Sequence, residues 1–322
     1  MQFSCESKEL DQSVNIVKRA ISSSNNAPIF SGIHAILQGN TLQLIAMDNT
    51  YMMNKKLDVN GEEDGELLIP AKAIGDLLAR FDPDEVLTVQ QLPGEKEMTL
   101  KAAKARGQYH IPLMDPEEYP AMPLLQGDRT LQLPEEIMGK LISTTVYACS
   151  TDASRPLYTG VYLEKSGQHL TAVGTNTHRL AIKEVELPEG DDSEFSMLIP
   201  ARLLKEIGSN LNGELPEPVV LTLKERQIMA QVGNLTIISS LIEGKFPDYK
   251  RTHSSVLQQP DGFQPGGYGK KPSSGSLCSP SPITILSGWP SMRTELPCLQ
   301  RSATWARGRK SSPARRWETT CP

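Results

Sequence analysis

Apolar residues recur at helical spacing in two places along the chain. Leu10, Val14, Val17 and Ile21 form one stripe over residues 9–21, and Ile137, Leu141 and Val146 form another over 136–146. Short alternating runs at 41–46 and 170–173, bounded by Gly and Asn, read as strands. A second helix is expected after Pro70 and again after Pro200, because proline suits a first helical turn. Further strands are expected at 85–89, 98–101, 219–223 and 227–231. Two helices with many short strands per unit predict an α+β fold, the helices packed on one face of largely antiparallel sheet.

The pattern is duplicated. Leu67-Leu-Ile-Pro-Ala-Lys-Ala-Ile-Gly-Asp-Leu-Leu78 recurs as Met197-Leu-Ile-Pro-Ala-Arg-Leu-Leu-Lys-Glu-Ile207, an offset of 130. Ser31-Gly32-Ile33 recurs as Thr159-Gly160-Val161 at 128. Ala46-Met-Asp-Asn-Thr50 recurs as Val173-Gly-Thr-Asn-Thr177, and Tyr119-Pro120 as Phe246-Pro247, both at 127. Four matches in one order at a nearly constant offset are not chance. They predict tandem domains at 1–122 and 128–252.

Composition adds a boundary. The whole chain, 38% hydrophobic and 22% charged, is ordinary for a globular protein. But residues 1–253 hold 24 of the 33 Lys and Arg and 35 of the 38 Asp and Glu, a net charge of −11, whereas 254–322 carry +6. That segment also holds all three tryptophans and is rich in Pro, Gly and Ser, so it is expected to be a low-complexity basic tail without a core. No run approaches the roughly 18 apolar residues of a membrane span. The N-terminus shows no secretory signal, and five cysteines without a Cys-x-x-Cys pair signal neither a disulfide framework nor zinc. A cytoplasmic protein with reduced thiols and no membrane partner is expected.

Catalysis finds no support. Gly266-Gly-Tyr-Gly-Lys-Lys271 imitates a phosphate-binding loop but lacks its spacing and its hydroxyl. No nucleophile elbow, zinc-protease motif or Cys/His cluster is present, so no catalytic residue, metal or cofactor is expected.

A duplicated helix–strand unit with Ile-Pro-Ala-Lys/Arg opening its second helix resembles the bacterial DNA sliding clamp, the beta subunit of DNA polymerase III. Gly174-Thr-Asn-Thr-His-Arg-Leu-Ala-Ile182 is similar to the family's Thr-His-Arg-Leu segment. Arg155-Pro-Leu-Tyr-Thr-Gly-Val161 is similar to a second-domain strand, and Glu243-Gly-Lys-Phe-Pro-Asp-Tyr249 to the segment closing that domain. The resemblance covers residues 1 to about 252. It implies clamp domains, three per subunit in the family, with two subunits closing head to tail around double-stranded DNA, without sequence specificity. The implied partners are DNA polymerase III, clamp-loader subunits and other proteins bearing clamp-binding motifs.

Two sets of site residues follow from it. A sliding ring should meet phosphates through scattered cations, since phosphate contacts position without specifying. Lys18, Arg19, Lys72, Arg80, Lys140, Arg202 and Lys205 lie on the four expected helices. On spacing alone they are solvated helix faces; the resemblance puts them on the ring's inner wall. The second set is a peptide pocket, which the motifs carry onto Tyr158, Thr175, Thr177, His178, Arg179, Leu180, Pro247 and Arg251. Apolar walls with a few fixed polar groups suit an extended peptide with aromatic or leucine anchors. On spacing alone His178 is a structural histidine and Leu180 plain core.

Beyond residue 253 a third clamp domain is expected in the wrong reading frame. Back-translated with a one-step shift, Trp289-Pro290 forces alanine, and residues 291–295 permit a run into Asp-Gly, a hairpin signal. The competing account is an authentic basic tail that binds nucleic acid. A slipped frame would remove the head-to-tail face and half the peptide pocket, so this chain would not encircle DNA as the family does. Three functions therefore compete: a DNA-encircling processivity factor, a peptide-docking clamp fragment, and a gene product without a role.

Overall fold

The computed structural model describes residues 1–250 except 23–26, 105–106, 121–126, 128, 188–192 and 216, and the backbone of Thr284–Ser287. The first repeat runs β1 (Gln2–Glu6), α1 (Ser7–Val17), β2 (Gly32–Gln38), β3 (Thr41–Met47), β4 (Tyr51–Asp58), β5 (Asn60–Glu63) and β6 (Gly65–Pro70). It continues with α2 (Ala71–Leu78), β7 (Val86–Gln90), β8 (Glu97–Ala102) and β9 (Gln108–Pro112). The second repeat opens with β10 (Arg129–Leu133), α3 (Glu135–Thr145), β11 (Gly160–Ser166), β12 (His169–Thr175), β13 (Arg179–Glu186) and β14 (Glu194–Pro200). It closes with α4 (Ala201–Ser209), β15 (Val219–Lys224), β16 (Gln227–Val232) and β17 (Leu235–Ser240). The expected α+β fold, with helices against antiparallel sheet, is what forms.

The stripes explain the helices. α1 buries Leu10, Val14 and Val17, then tightens into a 3-10 turn over Lys18–Ala20. α3 buries Met138, Leu141 and Thr145, with Ile137 half-buried beside them. Each buried Leu, Ile or Val side chain contributes about 1.5–3 kcal/mol. Pro70 and Pro200 differ slightly from expectation: each ends its strand with extended ψ and precedes the first helical residue, so the proline is the cap and not part of the first turn.

Among the described residues three sheets carry the strands, in the orders β5-β1-β7-β8-β9, β10-β15-β16-β17-β4-β3-β2-β6, and β14-β11-β12-β13 extended by a further strand, β18 (Thr284–Ser287). The middle sheet crosses from one repeat to the other, because β17 pairs antiparallel with β4, Ile238 opposite Met52. The described residues of the two repeats accordingly belong to one compact unit.

Strand register gives the internal equivalence residue by residue. His34 faces Ile45, which faces Asn54; Tyr162 faces Val173, which faces Ile182. The offset is 128 across these strands, so Ile45, not Ala46, is the counterpart of Val173, and one sequence match shifts by a residue. Apart from β18, the residues read from sequence as an out-of-frame tail, 253–322, lie outside the described residues; β18 itself answers to no element expected there.

Candidate nucleic-acid and peptide interfaces

The helices form a layer along one face of the sheets. α1 packs on α2 and against β3 and β4, while α3 packs on α4 and against β12 and β13. With their C-terminal turns these helices hold eight Lys and Arg against six Asp and Glu, a small positive excess in a body of net −11. All seven cations expected to meet DNA lie in this layer, and all but half-buried Lys18 are exposed.

They are not equivalent. Arg202, at the start of α4, binds across the junction to the first repeat. Its Nη1 donates to Asp48 Oδ2 at 3.1 Å, and its Nη2 donates to the carbonyls of Arg19 at 2.7 Å and Ala20 at 3.3 Å. Its guanidinium also lies 4.2 Å from the centroid of the buried Tyr51 ring. Arg19 Nη1 reaches back to Glu206 Oε2 at 3.1 Å. Lys140 pairs along its own helix with Glu136 at 2.6 Å. Among the described residues, Lys18, Lys72, Arg80 and Lys205 have no ion-pair partner.

The Thr-His-Arg-Leu segment makes the turn between β12 and β13. Asn176 Oδ1 accepts from the backbone N–H of His178 at 3.1 Å and of Arg179 at 3.0 Å. Asp48, its counterpart in the first repeat, does the same for Thr50 at 2.8 Å. Buried Thr175 donates its hydroxyl to the Arg179 carbonyl at 2.7 Å and accepts from Thr177 N–H at 3.2 Å. Thr177 is held at φ 77, a left-handed conformation disfavoured for a β-branched residue. The turn projects His178 and Arg179 into solvent, Arg179 lying 5.6 Å from the Tyr147 ring. Gly174 is required just before it: a Cβ there would sit 2.3 Å from the Thr145 carbonyl at the end of α3.

On the sheet face away from the helices is a small apolar cluster. Val173, Leu198 and Phe246 are buried, and Leu157, Leu180, Ile182 and Ile242 pack against them. Tyr162 stacks on Phe246 with centroids 4.9 Å apart. Tyr249 donates its hydroxyl to Glu164 Oε2 at 2.6 Å, and Lys250 pairs with Glu164 Oε1 at 3.1 Å. The hydrogen bond from Tyr249 first, then Lys250, holds the Glu164 carboxyl below its usual range, while burial and Glu164 push the Tyr249 hydroxyl up.

Of the residues expected in the pocket, Leu180 belongs to this cluster, Pro247 follows Phe246, and half-buried Tyr158 follows Leu157. Thr175 and Thr177 shape the turn; His178 and Arg179 stand at its rim; Arg251 lies outside the described residues. Sequence reasoning missed Tyr162 and Phe246, although strand alternation and the Phe-Pro pair were the available signals. A cavity of about 390 Å³ beyond Tyr249, lined by Glu164, His169 and Glu184 among others, touches none of the described pocket residues. Among the described residues no group of His, Cys, Asp and Glu is placed to hold a metal ion.

The first repeat has the same cluster in closed form. Ile45, Met52, Leu68 and Tyr119 are joined there by Ile238 of β17 and half-buried Met229 of β16, both from the second repeat. Met52 is 8% exposed as a result, whereas its counterpart Leu180 stays only half-buried.

Repeated units that share a sheet across their junction and carry helices on one face define a tandem clamp-type protein. Residues 1–123 match the DNA polymerase III beta subunit N-terminal domain, and residues 132–248 match its central domain. A beta sliding clamp of Halalkalibacterium halodurans is 28% identical over 257 residues, covering 77% of this chain and 66% of the relative. One from Synechocystis sp. is 28% identical over 270 residues, covering 77% and 68%. Among solved structures, the DNA polymerase III beta chain of Streptococcus pneumoniae superposes with a TM-score of 0.71 at 26% identity, covering 78% of this chain and 67% of that one. The Bacillus subtilis DNA polymerase sliding clamp gives 0.71 at 24%, covering 81% and 68%. The chain belongs to the DNA polymerase III beta subunit family, the bacterial sliding clamps, and spans about two thirds of the length of the relatives it matches.

Proposed function

We propose that this chain is a non-catalytic, cytoplasmic processivity subunit of DNA replication, built of clamp domains at 1–122 and 128–252 followed by a basic tail. Duplex DNA runs along the helix layer, met without sequence preference by Lys18, Lys72, Arg80 and Lys205, with Arg19, Lys140 and Arg202 adding field while bound to carboxylates. DNA polymerase III, clamp-loader subunits and other proteins with clamp-binding motifs dock at the shelf beside Leu180, His178 and Pro247, a set to which the resemblance adds Arg251. The observation that carries the reading is the small positive excess of the helix layer within a body of net −11. Such a field draws duplex to that face and repels it elsewhere.

A Leu-rich clamp-binding peptide should lose about 1–3 kcal/mol of affinity on Leu180→Ala or His178→Ala, as truncated anchor contacts do. Titration calorimetry that finds both variants unchanged would reject the pocket. Replacing Lys72, Lys205 and Arg80 together by Gln should flatten the salt dependence of duplex binding by up to about three units of slope. An unaltered slope would reject the DNA face.

A second reading, a docking fragment that holds peptides but not DNA, is favoured by the half-buried apolar shelf around Leu180. Retention on circular but not linearised DNA separates the two, since only an encircling assembly slides off ends.

A further inference from the structure

The chain's one strand beyond residue 250 among those described, β18, repeats the pairing that joins the two repeats. In β17, Thr236-Ile237-Ile238-Ser239 lies antiparallel to β4 with Thr236 opposite Asn54 and Ser239 opposite Tyr51. In β18, Thr284-Ile285-Leu286-Ser287 lies antiparallel to β13 with Thr284 opposite Ile182 and Ser287 opposite Arg179. Ile182 and Arg179 are the counterparts of Asn54 and Tyr51 at the constant offset of 128, so direction and register are the same. The two quartets differ only by Leu for Ile.

β13 is thus an edge that accepts a strand of this kind, as β4 does. A second candidate strand exists in every copy of the chain. β9 ends its own sheet, with no second neighbour among the described residues, and Gln108, Tyr109 and His110 are exposed. Its place relative to β8 is that of β17 relative to β16: Ile111 faces Met98 as Ser239 faces Ile228. Unpaired edges of this kind join to one another unless blocked.

We propose that Thr284–Ser287 is an autoinhibitory strand, which caps the β13 edge within the chain and so excludes β9 of a second copy. Head-to-tail association of copies is then controlled by release of a four-residue strand, the mode in which an extended segment adds to an open sheet edge. The inference rests on strand register and not on DNA or peptide binding. Although β13 also carries Arg179 and Leu180 of the proposed shelf, the test reads amide exchange and association and uses no clamp-binding peptide, so either can fail while the other stands.

The experiment compares the full chain with its Ile285→Pro, Leu286→Pro double variant, in which ladder hydrogen bonds from the capping strand are removed. In dilute full chain, amide exchange at 179–182 should be at least about ten-fold slower than in the variant. By sedimentation the full chain should be monomeric, and the variant should associate with rising concentration while amides at 108–111 become protected. A synthetic peptide of residues 281–290 should return the variant to monomer. Equal exchange in the two proteins, an associated full chain, a variant that stays monomeric at about 100 μM, or association that leaves 108–111 unprotected would each overturn the proposal.

Discussion

Thr177 shows how much a single residue of the turn is made to bear. Its left-handed backbone (φ 77) costs about 1–3 kcal/mol for a residue that is neither Gly nor Asn. The hydroxyl of Thr175 and the amide oxygen of Asn176 hold the neighbouring N–H groups and so impose the conformation. Thr177→Asn should therefore raise stability by about 1 kcal/mol in urea unfolding, because Asn tolerates this region far better. A destabilised variant would show that the Thr177 side chain contributes more than its backbone loses. The words Thr-Asn-Thr-His-Arg-Leu located this turn from sequence, but they could not reveal which side chain organises it. That depends on the two-residue reach from Asn176 to His178, which the matching Asp48–Thr50 bond repeats.

At the scale of elements, Glu164 on β11 fastens the segment that carries Phe246 and Tyr249 to the sheet. Its carboxyl is held below the usual value of about 4.5, so the stabilisation is complete above that pH and is lost as pH falls through the lower folded value. The difference in unfolding midpoint between the native protein and Glu164→Gln should be constant from pH 7 to 5 and shrink below about 4.5. A gap that persists unchanged at pH 3 would mean that the charge is not what matters. The helices were legible because one face of each is apolar at a 3.6-residue period. β5 was not, since Asn60-Gly-Glu-Glu63 has no alternation and pairs only along the edge of β1. The shelf was legible only in part: its motif residues could be named, while Tyr162 and Phe246 meet only because the segment after β17 folds back onto β11.

For the whole molecule the junction decides most. Arg202 ties α4 to Asp48, Tyr51 and two carbonyls at the end of α1, and only a planar fork can meet them all. Arg202→Ala should cost about 1–3 kcal/mol in urea unfolding, and Arg202→Lys should recover less than half of it. Full recovery by Lys would reduce the interaction to simple charge. Nothing in the sequence singled Arg202 out from the other six helix cations, because its partners lie more than 150 residues away.

The pairing of β17 with β4 also fixes the order in which the protein can be completed on the ribosome. Residues 51–58 emerge long before their partner at 235–240, and at roughly 5–20 residues per second that interval lasts on the order of 10–40 seconds. Through that time the nascent first repeat presents Tyr51, Met52 and Met53 along a bare strand edge, and the cluster around Met52 lacks Ile238. Holdase chaperones that favour exposed apolar strands should find the nascent chain there, and polysomes bring neighbouring copies with the same open edge close together. The danger ends when residue 240 clears the exit tunnel and the second repeat closes the first.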